Sequence, residues 1–275
     1  PYTSVRCDGG LKLGKRARLG CTGHHGWTSL YPAFGSSCNA YFGQAGIWIG
    51  PENLAKWASA FGLGERTGID VPGEQDGNVD GPRTQEAIYR RYNQEWTGWH
   101  HGDSANMAIG QGGMLVTPLQ MAVAVAATAN GGRRIVPRLV RSALLPSGKS
   151  WQAPVSASSV LPMTDRTREM LAKSMQGVVE SANGTAVSAR LPGIEIRGKT
   201  GSAESRGKRS PTHAWFVCTA GRRGAQPELA IAVWIDAGGK QLHGGSHAAP
   251  VARKLIARYF GIPDQGTLVA GTVAD

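Results

Sequence analysis

Acidic residues are scarce in this sequence: 19 Asp and Glu stand against 30 Lys and Arg in 275 residues, a formal net charge of +11. The basic stretches Lys12 to Arg18 and Arg206 to Arg209 lack the interleaved aromatic residues on which a nucleic-acid surface stacks bases, so no nucleic-acid partner is expected. A basic protein working near an anionic membrane or polymer fits the surplus equally well. Long hydrophobic runs are missing too. One long uncharged stretch, Ser104 to Gly132, is interrupted by Asn106, Gln111, Pro118 and Gln120, and only Met121 to Ala129 reads as continuous apolar helix, which makes it a buried core helix and no membrane span. No charged-then-apolar leader opens the chain, and internal repeats are absent. It begins in turn-rich text, Pro1-Tyr2-Thr3-Ser4, as if cut from something longer. With 41% apolar residues, disorder is excluded as the overall description.

Only four cysteines are present. Cys7 and Cys21 bracket two short alternating runs around Gly14-Lys15, a small hairpin whose ends approach each other. In an oxidising compartment they could join in a disulfide, which would stabilise by ~3 kcal/mol for a loop this short. Zinc held by Cys7, Cys21, His24 and His25 is the alternative, but adjacent histidines lack the usual ligand spacing, so no metal or other cofactor is expected. Cys38 and Cys218 sit in apolar text and read as buried thiols.

Periodicity predicts a run of elements. Gly35-Ser36-Ser37 precedes Cys38-Asn39-Ala40-Tyr41-Phe42, where small polar residues meet an apolar helical run and a serine or asparagine reads as a helix cap. Pro51 opens a helix with Leu54, Trp57, Ala58 and Phe61 on one face and Gly62 as its stop. Residues 64 to 104 carry turn signals and read as a structured excursion that must bury Trp96 and Trp99. Thr117-Pro118-Leu119-Gln120 is a capping box before a helix reaching Gly131-Gly132. An extended stretch at 134 to 144 and a Ser/Ala/Pro-rich passage at 146 to 162 follow. A helix from Thr164 buries Met170, Leu171, Met175, Val178 and Val179 and stops at Asn183-Gly184.

Three strands come next, Ile194 to Ser202, His213 to Ala220 and Glu228 to Asp236, whose short connections require antiparallel neighbours. Trp215 and Phe216 read as core residues of the middle strand. The last helix, Ala248 to Phe260, is predicted to turn Val251, Leu255, Ile256 and Tyr259 inward. The pattern is α+β, an antiparallel sheet packed with helices, in one domain over 1–262 with a frayed tail at 263–275.

Ser37-Cys38-Asn39 at a helix boundary and Lys199-Thr200-Gly201 at a strand end form a pair. Ser-x-Asn followed by Lys-Thr-Gly, together with Ser-x-x-Lys, is the signature of penicillin-binding proteins and class A β-lactamases. Further passages carry the resemblance: Phe61 to Gly64 with Thr67 to Glu74, Gly102 to Gly112, Val116 to Ala122, His213 to Val217 and Gly245 to Ala252. From about Cys7 to Phe260 the chain resembles the transpeptidase domain of class B penicillin-binding proteins. That resemblance implies a penicillin-binding transpeptidase or serine β-lactamase-like fold with its N-terminal part missing. It implies serine acyl transfer that cross-links peptidoglycan stem peptides, blocked by β-lactam antibiotics. It also implies a domain outside a cytoplasmic-membrane anchor, with membrane wall-synthesis partners in cell elongation or division.

The roles it implies are specific. Ser37 relays a proton towards the leaving nitrogen, Asn39 bonds the substrate carbonyl, and Lys199 holds charge over the cleft. Thr200 bonds the terminal carboxylate, Gly201 lets the substrate backbone lie along the strand, and Ser202 gives its N–H to the oxyanion. His213, His243 and His247 read as structural. One motif departs. The lone Ser-x-x-Lys match, Ser205-Arg206-Gly207-Lys208, follows the Lys-Thr-Gly motif instead of preceding Ser37, and is read as spurious. The chain is therefore expected to start downstream of the nucleophile and not to form an acyl-enzyme alone. The alternatives are a D,D-carboxypeptidase or β-lactamase, and a non-catalytic paralogue acting in wall assembly or drug sensing.

Overall fold

Short strands open the chain because glycines punctuate it. In the computed structural model, which describes residues 2–15, 17–154, 157–204 and 211–263, β1 (Val5–Cys7), β2 (Gly10–Lys12), β3 (Arg18–Gly20) and β4 (Gly26–Thr28) make two nested antiparallel pairs. Inside, β2 pairs β3; outside, β1 pairs β4. The expected hairpin is there, and Cys21 N–H bonds the Gly9 carbonyl at 3.1 Å to close its base. The helices α1 (Leu30–Gly35), α2 (Asn39–Ile49), α3 (Pro51–Ala60), α4 (Pro82–Arg91), α5 (His101–Ala108) and α6 (Pro118–Ala129) follow. Then come β5 (Arg133–Ile135), β6 (Ser142–Leu144), β7 (Ser150–Gln152), β8 (Ala157–Val160) and α7 (Asp165–Glu180). The chain ends in β9 (Ile194–Glu204), β10 (Thr212–Arg222), β11 (Leu229–Ile235) and α8 (Ala249–Phe260). Among the described residues no helix is long and apolar enough to cross a membrane. The Ser205 to Lys208 match and the tail after Pro263 lie outside the described residues.

The chain divides into two compact units, one of residues 30–37 and 170–263 and the other of 2–29 and 38–169. The first holds the sheet. Its strand order is β11-β10-β9, all antiparallel, with Gly201 opposite Trp215 and Lys199 opposite Val217. β9 alternates as a half-buried strand must: Ile194, Ile196 and Gly198 point into the core, while Glu195, Arg197 and Lys199 take the other face. Gly198 is required there, because a Cβ would stand 2.7 Å from the Phe216 ring. Phe216 is fully buried on the middle strand, as expected, while Trp215 is half-buried beside Trp234. Val178 and Val179 of α7 and Ile256 of α8 complete this core. Arg190 holds the end of α7, donating to the carbonyls of Val179, Glu180 and Ser181 at 2.6, 2.9 and 2.9 Å, a cation where the helix dipole is negative.

Helix α8 corrects the sequence reading. Ile256 is buried, but Val251, Leu255 and Tyr259 are exposed, and the inward face is Ala249, Ala252, Ile256 and Ala257. Three alanines let the helix backbone approach its neighbours closely, so bulk goes outside, against the usual expectation that the larger apolar residues face in.

In the second unit the Thr117 box forms as predicted, Gln120 N–H bonding Thr117 Oγ1 at 3.1 Å and Thr117 N–H bonding Gln120 Oε1 at 2.8 Å. Buried Gln120 also donates to the carbonyls of Glu65 and Asp76, at 2.7 Å each, which pins the long excursion to α6. That excursion contains a helix, α4, that its turn signals concealed. Trp96 and Trp99 are partly buried, and Trp99 Nε1 donates to Ser104 Oγ at 2.8 Å. Helix α3 is present, although its predicted face is only half-covered and Trp57 is exposed.

Candidate active site

Two predicted residues meet in the first unit. Lys199 Nζ donates to Ser37 Oγ at 2.7 Å across 162 residues of sequence, and to its neighbour's carbonyl, Thr200 O, at 2.8 Å. Burial strips water from the ammonium and pushes the Lys199 pKa down from 10.5 to about 8. An ammonium poised that close to neutrality and bonded to a hydroxyl has the chemistry to resupply a proton to that hydroxyl. Ser37 does not cap a helix. It lies in the turn between α1 and α2 with φ +54°, a left-handed conformation that costs a non-glycine residue roughly 1–2 kcal/mol. Cys38 occupies the cap position, and its side chain makes no capping bond to the helix. Strain of this kind persists where the surroundings over-determine it, and here the Lys199 bond is one such constraint.

Thr200 faces the opposite way from Lys199, and its Oγ1 lies 2.7 Å from Thr185 Oγ1. Sequence reasoning missed Thr185, which carries no periodic signal; its position just after Gly184, behind α7, was the only hint. Two glycines close in behind: a Cβ on Gly244 would stand 2.2 Å from the Trp215 carbonyl oxygen, and one on Gly245 2.1 Å from that of Thr185. Ser188 Oγ donates to the Gly245 carbonyl at 2.5 Å and fixes that turn. Gly201 and Ser202 lie on β9, which has no partner strand on its outer side among the described residues. The edge strand of a sheet can take an extended peptide as an added strand. His213 Nδ1 accepts from Ala237 N–H at 3.1 Å, and His247 Nδ1 accepts from His243 N–H at 3.1 Å; both histidines hold turns.

Asn39 belongs to the second unit. Its Nδ2 donates to the Gly20 carbonyl at 2.9 Å and its N–H to Cys21 Sγ at 3.3 Å. That sulfur is part of a group the sequence reading had split up. Cys7, Cys21, His25 and Cys38 bring their ligand atoms within 4.8 Å of one another, whereas exposed His24 stands outside. All four cysteines of the chain are free thiols.

Distances test whether zinc fits. Tetrahedral bonds of about 2.3 Å to sulfur and about 2.0–2.1 Å to nitrogen put sulfurs about 3.8 Å apart and sulfur about 3.5 Å from nitrogen. Cys21 Sγ and Cys38 Sγ are 3.9 Å apart, and Cys7 Sγ and Cys21 Sγ each lie 3.5 Å from His25 Nδ1. The donor set fits a closed structural zinc site. The hydrogen bond shared between Cys21 and Cys38 holds the Cys21 thiol well below its ordinary pKa, against the effect of burial, and the same contact pushes Cys38 up. Cys21 is the readiest of the pair to be a thiolate.

Known proteins agree with this architecture. The penicillin binding protein transpeptidase domain model matches residues 2–257. The peptidoglycan D,D-transpeptidase MrdA of Acinetobacter baumannii is 30% identical over 245 residues, covering 84% of this chain and 34% of that protein. MrdA of Haemophilus influenzae is 31% identical over 251 residues, covering 86% of this chain and 37% of that one. Among solved structures, Pseudomonas aeruginosa PBP2 in complex with WCK 5153 superposes with a TM-score of 0.79 at 28% identity, over 94% of this chain and 56% of that one. The chain spans about a third of the length of the curated relatives named here. The Lys-Thr-Gly strand, the Ser-x-Asn turn and these matches together make the chain a member of the penicillin-binding protein transpeptidase family, of the class B type.

Proposed function

We propose that this chain carries the proton-relay and carboxylate-binding part of a serine D,D-transpeptidase that cross-links peptidoglycan stem peptides and is acylated by β-lactams. The observation that carries the proposal is the 2.7 Å bond between Lys199 and Ser37, which joins the two motifs of the family. A serine from a Ser-x-x-Lys segment outside this sequence gives its hydroxyl proton to that motif's lysine and attacks the penultimate D-alanyl carbonyl, forming the C–O bond while the carbonyl electrons move to oxygen. The oxyanion accepts from the Ser202 backbone N–H and from the nucleophile's own N–H. On collapse the C–N bond breaks and the departing nitrogen takes the Ser37 hydroxyl proton, which Lys199 replaces. An acceptor amine then attacks the acyl-enzyme by the same path in reverse.

Thr200 holds the terminal carboxylate, with Thr185 behind it, and the Lys199 charge draws that carboxylate in. Gly201 lets the peptide lie along β9. A bond from Asn39 to the substrate carbonyl rests on the motif alone. The cysteine-rich tetrad is proposed as a structural zinc site that holds the turns flanking Asn39. A membrane anchor with the domain on its outer side, and partners in wall synthesis, complete the proposal. The solved relatives include a complex of Helicobacter pylori PBP2 with MreC and a peptidoglycan synthase complex.

The test uses the chain extended upstream through Ser-x-x-Lys, a fluorescent penicillin, and a D,D-peptide donor with a D-amino acid acceptor. Covalent labelling and transfer to the amine are expected. Release to water alone would make the protein a D,D-carboxypeptidase or β-lactamase, and absence of labelling would make it the non-catalytic paralogue.

A further inference from the structure

Three of the four donors in the second unit's tetrad are thiols, and their burial differs. Cys7 and Cys38 are buried, while Cys21 is only half-buried, so an oxidant reaches Cys21 first and finds Cys38 3.9 Å behind it. Zinc has no redox chemistry of its own, so any electrons lost from such a site come from sulfur. An accessible sulfur beside a second cysteine able to resolve it is the arrangement of an oxidation-sensitive pair.

We propose that the Cys7, Cys21, His25 and Cys38 site is an oxidation-sensitive zinc clasp: a peroxide joins Cys21 to Cys38 and the ion leaves. The inference rests on the zinc reading above. Cys21 sulfur attacks a peroxide oxygen, the S–O bond forms as O–O breaks, and the hydroxide released takes a proton to become water. Cys38 sulfur then attacks Cys21 sulfur, the S–S bond forms as S–O breaks, and a second hydroxide takes a proton. Two thiolates thus lose two electrons in all, hydrogen peroxide gains them, and two protons are consumed. Cys7 and His25 remain as two ligands of a metal that requires four.

The consequence falls on Asn39. Its backbone N–H is bonded to Cys21 Sγ, its side chain to Gly20, and Cys38 precedes it directly. Joining Cys21 to Cys38 pulls both sulfurs from 3.9 Å to about 2.05 Å, the length of a disulfide. The two turns that hold the Ser-x-Asn asparagine must then shift. The metal clasp therefore makes the placement of Asn39 depend on the redox state of the surroundings.

The experiment uses the reduced chain refolded with zinc chloride. Metal content is measured first: one zinc per chain is expected, and a chain that takes up none fails the zinc reading itself, before any oxidant is added. The loaded chain is then treated with hydrogen peroxide in the presence of a colorimetric zinc chelator, digested, and mapped by mass spectrometry. Release of one zinc per chain, in step with a Cys21–Cys38 disulfide and reversed by a phosphine reductant with added zinc, is expected. Cys21→Asp keeps a zinc ligand that cannot be oxidised, and its release should slow at least tenfold. Zinc retained under conditions that oxidise free thiols, or zinc lost with a disulfide to Cys7 instead, would overturn the proposal, and the wild-type measurements decide it even where the variant does not fold.

Discussion

Replacing Lys199 by Met should remove a pH dependence of stability that the wild-type chain carries. Burial lowers the lysine from 10.5 to about 8, and a tenfold change in proton affinity is about 1.4 kcal/mol, so the ceiling of the effect is about 3.4 kcal/mol. Lys199 is half-buried, and solvent screening brings the expected value nearer 2 kcal/mol. The sign follows from where the proton sits. Between pH 8 and 10.5 the unfolded chain keeps the lysine proton while the folded chain has released it, so this group stabilises the fold progressively as pH rises through that window. Below about pH 7 both states are protonated and the contribution is constant. Urea titrations followed by tryptophan fluorescence at pH 7, 8.5 and 10.5, run on wild type and Lys199→Met, isolate the difference, because every other titrating group cancels. The lost bonds to Ser37 and to the Thr200 carbonyl enter mainly as a constant offset. A wild-type minus variant stability that is flat over this range, or that falls with pH, would refute the buried, depressed lysine.

Two further outcomes follow from the sheet and its covering helix. Gly198→Ala should destabilise by roughly 1–3 kcal/mol in urea titrations, because its Cβ would meet the Phe216 ring at 2.7 Å and the Val217 carbonyl oxygen at 2.9 Å. Ile256→Ala should cost about 2–5 kcal/mol, whereas Leu255→Ala, at a position 52% exposed, should stay within about 0.5 kcal/mol; equal losses would mean that the helix is turned as its sequence first suggested.

Much of the fold was legible because single residues marked it. Thr117 and Gln120 fixed the start of α6, and the three runs of β-formers at 194, 213 and 228 became the antiparallel sheet. Helix α4 escaped because Pro72-Gly73 and Asp76-Gly77 dominate the reading of their neighbourhood, and its ten residues offer only Ala87, Ile88 and Tyr89 as an apolar run. The inward face of α8 was misread because hydrophobic size does not distinguish a face that packs by bulk from one that packs by close approach.

At the candidate site, sequence alone paired Ser37 with Lys199 through motif order, and in the fold Lys199 Nζ donates to Ser37 Oγ. It could not anticipate the left-handed backbone of Ser37 or the contact of Thr185 with Thr200, since both depend on how distant segments are brought together. The tetrad was half visible. Cys7 and Cys21 stood out, but the reading joined them to adjacent histidines, while the fold selects His25 alone, four residues after Cys21, and adds Cys38 from the Ser-x-Asn turn.

The proton relay itself is tested most directly by a double-mutant cycle on the rate of penicillin acylation, in the chain extended upstream. Ser37→Ala and Lys199→Ala should each slow acylation by about 10²–10⁴, the range of a lost general acid, and the double variant should be scarcely slower than the worse single one, because the two groups act as one unit. Rate losses that multiply in the double variant, or single variants that acylate at the wild-type rate, would contradict the account.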